Sequence, residues 1–320
     1  AVKNKYYSQS YTFKGERKLI LSDNISLGFG SDYNYNKGDF QIKGNWGSSA
    51  KGHSDNLGIF SNLGYEINDT TILSAHLRGD SHKYSQEHLT HRFNLTKLIN
   101  SLTLSLSESS GLRHPDLFVL HGANPSGTFK AMNTTKPETS LTREISAKYN
   151  FSKNFFIEST AYKGSVSDVL NRGTSTYGYN EIIDIEQEGL ENSLIFKNEN
   201  QKISLSSAFS KSREGDGTPQ LRRPEKQFGV NYSKKFSTNV LGPFHLNYDY
   251  RHVGKVEDWK NGSIRAKVDS SDIMNLNLSK DLFGTVWSVN VLNLTDENYQ
   301  RPDTYNQEGR RFVLSFRHKY

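Results

Sequence analysis

Apolar and polar residues alternate along most of this chain, and the alternation is clearest near its end. There Phe312, Leu314, Phe316, His318 and Tyr320 share one parity, while Arg311, Val313, Ser315, Arg317 and Lys319 take the other. The same period of two groups Ile25, Leu27 and Phe29, then Leu102, Leu104 and Leu106, then Phe244, Leu246, Tyr248 and Tyr250. Successive side chains point to opposite faces in an extended strand, so this period predicts strands and not helices. Short polar turns at 22–24, 68–69, 153–154 and 198–201 alternate regularly with longer connections at 36–56, 111–138, 171–179, 213–222 and 258–268. The pattern therefore predicts an all-β fold, an antiparallel up-and-down transmembrane β-barrel with short turns on one rim and long loops on the other. A soluble sandwich would hide its apolar faces against each other and would not sort its turns in this way. Part of 36–56 is expected to extend a hairpin above the membrane; the rest, rich in Gly and Ser, is expected to lie in solvent. The count is about fifteen strands, whereas single-chain bacterial barrels have an even number. The expectation is that residues 1–320 are part of a larger barrel, with strands preceding Ala1.

Composition fits this picture. No run of eighteen apolar residues occurs, and the mean hydropathy is −0.71. A transmembrane strand needs only every second residue apolar, so neither value argues against a membrane. Seventeen Tyr and eighteen Phe against two Met suit interfacial aromatic girdles. The net charge of +6 is scattered among acids without a basic helix or run, which argues against nucleic acid as a partner. Ala1-Val2-Lys3-Asn4-Lys5 has no apolar core of a signal peptide, so a processed or partial chain is expected.

Candidate chemistry is sparse. There is no Gly-x-Ser-x-Gly elbow, His-Glu-x-x-His pair or phosphate loop, so an enzyme is not expected and no cofactor is assigned. His76, His82, His88 and His91 lie close in sequence but at irregular spacing, which suits a polar lumen or rim better than a metal site. Arg78 of the Arg78-Gly79-Asp80 tripeptide takes the lumen parity. Glu144 with Lys148, and Asp249 with Arg251, are read as balancing charges in a wet lumen.

Three sequence features then converge. Asn293-Leu294-Thr295-Asp296-x-x-Tyr299 precedes a loop with Tyr305, Gly309 and Arg310 and a terminal aromatic strand. Upstream, Arg113-His114-Pro115 is followed by Asn124-Pro125 and by Lys136-Pro137-Glu138, with Thr135 where a Leu is usual. These features resemble the C-terminal barrel of TonB-dependent outer-membrane receptors, and the Tyr305 to Arg310 loop is most similar to the cobalamin-receptor branch. The resemblance implies a bacterial outer-membrane location and a plug domain in the receptor's N-terminal part. It also implies energy-coupled uptake of a scarce large ligand through the TonB complex, with cobalamin or a ferric siderophore as that ligand. It implies further that the strand carrying Phe312, Leu314, Phe316 and Tyr320 faces lipid and is read by the barrel-assembly machinery. A passive porin or structural barrel is the alternative. Haem is a lesser one, because haem receptors place a His in the region of His121.

Overall fold

The computed structural model describes residues 4–42, 48–85, 87–123, 136–172, 179–240, 242–260 and 264–318. In chain order the strands are β1 (Lys5–Ser22), β2 (Ile25–Ile42), β3 (Ser48–Asn68), β4 (Thr71–His82), β5 (His88–Ile99) and β6 (Leu102–Arg113). After helix α1 (Leu117–His121) come β7 (Gly122–Ala123), β8 (Glu138–Ser152), β9 (Phe155–Arg172), β10 (Tyr179–Lys197), β11 (Gln201–Glu214), β12 (Lys226–Thr238) and β13 (Gly242–Val253). The remainder is β14 (Val256–Lys260), β15 (Ile264–Val268), β16 (Ser271–Leu282), β17 (Thr285–Leu292) and β18 (Arg311–His318).

One antiparallel sheet runs β1 through β6, β8 through β13, then β16, β17 and β18, each strand paired with the next. The two-residue β7 adds to β3, and β14 pairs with β15 in a separate hairpin. Every neighbour is antiparallel, so the four predicted short turns all fall on one rim and the long connections on the other. β1 runs into a short turn and β18 runs away from a long connection, so both point toward the short-turn rim. Each has one unpaired edge among the described residues.

Register explains the two faces. Leu95, Leu106, Ile145, Ala161, Leu190 and Phe209 are successive partners across six strands and form an apolar row on the outer surface. One residue along each strand the surface turns polar: Asn247 donates to Asn277 and Asn277 to Asn290, at 3.1 and 2.7 Å, across the lumen face of β13, β16 and β17. On β18, Phe312, Leu314 and Phe316 pair with Val291, Val289 and Trp287 on the outer face, and the Trp287 and Phe316 rings meet edge to face at 4.3 Å. Tyr320 lies outside the described residues.

One expectation is corrected. The segment 36–56 is mostly strand, since β2 continues to Ile42 and β3 begins at Ser48 with unbroken register between them. Ladder hydrogen bonds between two extended chains need no apolar face, so Gly and Ser did not prevent pairing. Residues 43–47 lie outside the described residues. Buried apolar side chains gather where loops pack at the outer end: Val119 and Leu120 on α1, and Val253, Val256 and Val268 around the β14–β15 hairpin.

Candidate functional site

The lumen wall near the outer end carries a charged cluster built by register. Arg78 on β4 forks onto two carboxylates. Its Nη1 and Nη2 donate to Asp32 of β2 at 2.6 and 3.0 Å, and its Nε and Nη2 donate to Asp80 at 2.8 Å each. Asn56 of β3 donates to Asp80 at 2.7 Å. To reach Asp32 the guanidinium crosses β3 directly over Gly58, where any β-carbon would overlap it. Phe60 lies beside it with the guanidinium 5.9 Å from the ring centre. Two bidentate charge-assisted contacts fix the fork in one orientation.

Above this cluster the connection from β6 folds inward. Val119 N–H donates to the Asp116 side chain at 2.8 Å, starting α1, and Leu120 is fully buried. His121 packs over Gly52 of β3 and meets the Tyr84 ring edge-on at 5.2 Å. His114 stacks on His82 with ring centres 4.2 Å apart. Tyr84 N–H donates to His82 Nδ1 at 3.3 Å, so that nitrogen bears a lone pair. Ser85 Oγ lies 3.0 Å from that nitrogen and 2.8 Å from His114 Nδ1, and His114 Nε2 is buried without a partner among the described residues. A recess of about 650 Å³ opens between this strap and the wall, lined by Asn34, Asn36, Asn56, His82, His114 and Asp116 among others. A second lumen recess of about 520 Å³ lies along β9 to β13 and includes Glu158, Glu191, Asp249 and Arg251.

Three further outer loops are joined at Asp258 on β14. Its buried carboxylate accepts from Arg222 Nε, from Trp259 N–H and from Asp303 N–H, each at 2.8 Å. Burial works against that charge, but the Asp303 amide, the Arg222 guanidinium and the Trp259 amide together hold the carboxyl below its ordinary range. Beside it Arg265 bridges Glu214, at 2.9 Å, and Glu257, at 3.4 Å.

The residues singled out near the chain's end close the loop between β17 and β18. Asn293 and Asp296 both have positive φ, 50° and 58°, a conformation that Asn and Asp tolerate best after Gly. Asn293 Nδ2 donates to the Glu297 and Glu308 carbonyls at 2.9 and 3.2 Å, and its Oδ1 accepts Glu297 N–H at 2.8 Å. Asp296 Oδ1 accepts Arg310 N–H at 2.6 Å, and a β-carbon on Gly309 would stand 2.8 Å from that oxygen. Tyr299 accepts Gln307 N–H at its carbonyl, 3.0 Å, and Leu294 N–H reaches the Met274 carbonyl at 2.7 Å. Gly309→Val is expected to cost about 0.5–1.5 kcal/mol through loss of this exposed hydrogen bond, with faster hydrogen exchange at the Arg310 amide as the readout. Unchanged exchange would show that the Asp296 contact does not hold the loop. The other group spans β6 and β8: Arg113 and Glu138 are register partners joined at 3.2 Å, Pro115 and Pro137 are buried, and Lys136 is exposed. Residues 124–135, with Asn124 and Pro125, lie outside the described residues.

The family described as TonB dependent receptor-like, beta-barrel matches residues 2–294. The chain belongs to that family. Its sheet is therefore barrel wall of the bacterial outer membrane. Among solved structures, the ferric enterobactin receptor PfeA of Pseudomonas aeruginosa (Q482A mutant) is similar at a TM-score of 0.81 and 17% identity, covering 97% of this chain and 54% of that one. The FrpB iron transporter of Neisseria meningitidis is similar at 0.78 and 14% identity, covering 99% and 55%. A structure titled copper transporter OprC is similar at 0.75 and 17% identity, covering 97% and 57%. This chain thus spans a little over half the length of those chains. No curated protein matches it in sequence.

Within this TonB-dependent receptor barrel the four neighbouring histidines part company. His91 stands on the outer surface, 3.1 Å from Glu108, while His82 joins His114, which sequence spacing did not bring near it. No group of three His, Cys, Asp or Glu among the described residues is placed to hold a metal ion. The Arg78 cluster and the Asp258 junction were also missed. A lone hint was Gly58 at a lumen parity between Asn56 and Phe60.

Burial, and then the neighbouring His82, push the His114 imidazole down to about 4. Asp80 opposes this shift, whereas His88 and Arg78 add to it. A freed His114 takes a proton near its ordinary value of about 6.5, so the closed strap loses stability as pH falls from about 6.5 toward 4 and is pH-independent above that window. Amide exchange at Leu120, corrected for intrinsic rate, should rise across that window, and His114→Gln should flatten the rise. A pH-independent rate in the parent protein would disprove this.

Proposed function

We propose that residues 1–320 form the C-terminal part of the barrel of a TonB-dependent uptake receptor, and that the receptor imports a ferric siderophore. The observation that carries the reading is the polar lumen. Amide, hydroxyl and carboxylate side chains line one broad recess near its outer end and another at the mid-strand level of Thr160, Ser193 and Ser206, and the β6–β8 connection folds inward over the first. Such a surface offers a large ligand many hydrogen-bonding groups set among apolar area. In this reading further strands complete the wall between β1 and β18, since two strands of the same direction cannot close an antiparallel barrel. An N-terminal plug and its contact with the TonB complex supply gating and energy. The outward Phe312, Leu314 and Phe316 strand is the one presented to the barrel-assembly machinery.

The choice of ligand rests on the iron and siderophore receptors that share this fold. Cobalamin is favoured only by the resemblance at Tyr305, Gly309 and Arg310. Loop closure accounts for Gly309 and for the Arg310 amide, and Tyr305 is largely exposed. The test is uptake by iron-starved cells expressing the full-length receptor, offered labelled ferric siderophores of several classes or labelled cobalamin. Accumulation of a ferric siderophore that an uncoupler abolishes is expected. Cobalamin uptake alone would replace the ligand, and entry that persists with the uncoupler would replace the receptor by a passive pore.

A further inference from the structure

The outer surface carries a groove that the transport reading does not use. It runs across β5, β6, β8 and β9, has a volume of about 610 Å³, and is lined by Phe93, Leu95, Leu106, Ile145 and Ala161. Ala161 makes its floor low, because its register partners are the larger Ile145 on one side and Leu190 on the other. At the groove's upper end stand Arg143 of β8 and Lys163 of β9, which are direct register partners.

Two cations directly opposite each other on adjacent strands repel. Only Arg143 has its charge partly met: its Nε donates to Glu108 at 2.6 Å, and Glu108 also faces His91. The Lys163 ammonium has no ion pair or hydrogen bond among the described residues. Its partner on β10, Glu188, is directed instead toward Lys211 at 3.7 Å. Arg143 remains 69% exposed at its side chain, with both terminal nitrogens uncommitted. The pair therefore presents an anion-sized gap bounded by two donors, directly above an apolar trough.

Height identifies what fills it. Arg143 lies ten positions from the short turn after β8, roughly 20–25 Å above that rim for a strand tilted near 45°, and the apolar band of such barrels is about 25 Å tall. The two cations thus sit at the phosphate level of the outer leaflet, and the trough descends from them into the hydrocarbon. We propose that this groove binds a phosphate-bearing lipid of the outer leaflet. One phosphate lies between Arg143 and Lys163, and acyl chains lie along Phe93, Leu95, Leu106 and Ile145. A soluble anion would use the cations alone, whereas a phosphate-bearing lipid engages both the cations and the trough.

The experiment uses the full-length receptor purified from outer membranes, with bound lipid counted by native mass spectrometry after washing in detergent. The parent protein is expected to retain a phosphorylated lipid. Arg143→Gln with Lys163→Gln should lower its occupancy by about tenfold or more, because two charge-assisted contacts are lost. Ala161→Phe should lower it with both charges intact, and Lys226→Gln, an outward cation on β12 away from the groove, should not. A second arm needs no variant: the parent receptor in nanodiscs should retain the phosphorylated lipid and release its dephosphorylated analogue. Equal occupancy in the parent and the double variant, equal loss in the Lys226 variant, or equal retention of the two lipids would each overturn the proposal.

Discussion

Arg78→Leu is expected to destabilise the barrel by about 3 kcal/mol, because it strands two carboxylates that the lumen wall holds largely away from water. Asp32 and Asp80 keep only 11% and 5% of their side-chain surface exposed, and Arg78 keeps 24%. Removing one partner from such a cluster costs far more than the cluster adds relative to apolar residues, since the remaining charges lose their compensation. Arg78→Lys should recover part of the loss: it restores the charge but not the planar fork that engages both carboxylates at once. Gly58→Val should resemble the leucine variant although it removes no charge, since a β-carbon there displaces the guanidinium. Urea unfolding of the full-length receptor in liposomes, followed by tryptophan fluorescence, measures all three. Parent-like stability of Arg78→Leu would mean that lumen water, and not Arg78, satisfies the two carboxylates.

That cluster also shows where sequence reading stops. A face is a local property: each residue's parity follows from its neighbours, so Leu205 and Phe316 are assigned outward from alternation alone. A cross-strand contact is different. Asp32 and Arg78 are 46 positions apart and meet only because β2, β3 and β4 pair in a particular register. The same holds for Arg222, Asp258 and Asp303, whose loops converge through the β14–β15 hairpin, a feature the polar segment 258–268 did not announce. The Asn293 to Arg310 motif stands between these cases. Its residue types were conspicuous in sequence, yet their reason is conformational: two positive-φ positions, and a glycine that makes room for a carboxylate. Gly309 and the Arg310 amide close the loop between β17 and β18, so the resemblance they carry to the cobalamin-receptor branch identifies no binding surface.

The outer face yields the other large effect. Leu205 on β11 pairs with Leu194 on β10 and Val230 on β12, all outward, while the adjacent Ser204 pairs with Ile195 and Asn231 on the lumen side. It lies four positions above the start of β11 at Gln201, roughly 10 Å above the short-turn rim and so near the middle of an apolar band about 25 Å tall. Leu205→Arg is therefore expected to cost about 2–4 kcal/mol, the penalty of a lipid-facing cation near the midplane. Ser204→Arg, one residue away, should cost little, because its side chain enters a wet lumen. Phe316→Arg tests depth at constant chemistry. Phe316 pairs with Trp287, two positions from the start of β17 at the short-turn rim, so its arginine reaches the interface and should cost about 0–1 kcal/mol. Arg317→Ser, on the lumen face of the same strand, should be neutral. Abundance and heat-modifiability of the full-length receptor in isolated outer membranes should then fall steeply for Leu205→Arg and slightly for Phe316→Arg, and stay at the parent level for the two lumen variants. Equal losses for Leu205→Arg and Ser204→Arg would show that the two faces of β11 meet the same environment, and the assignment of lipid and lumen to alternate parities would fail with them.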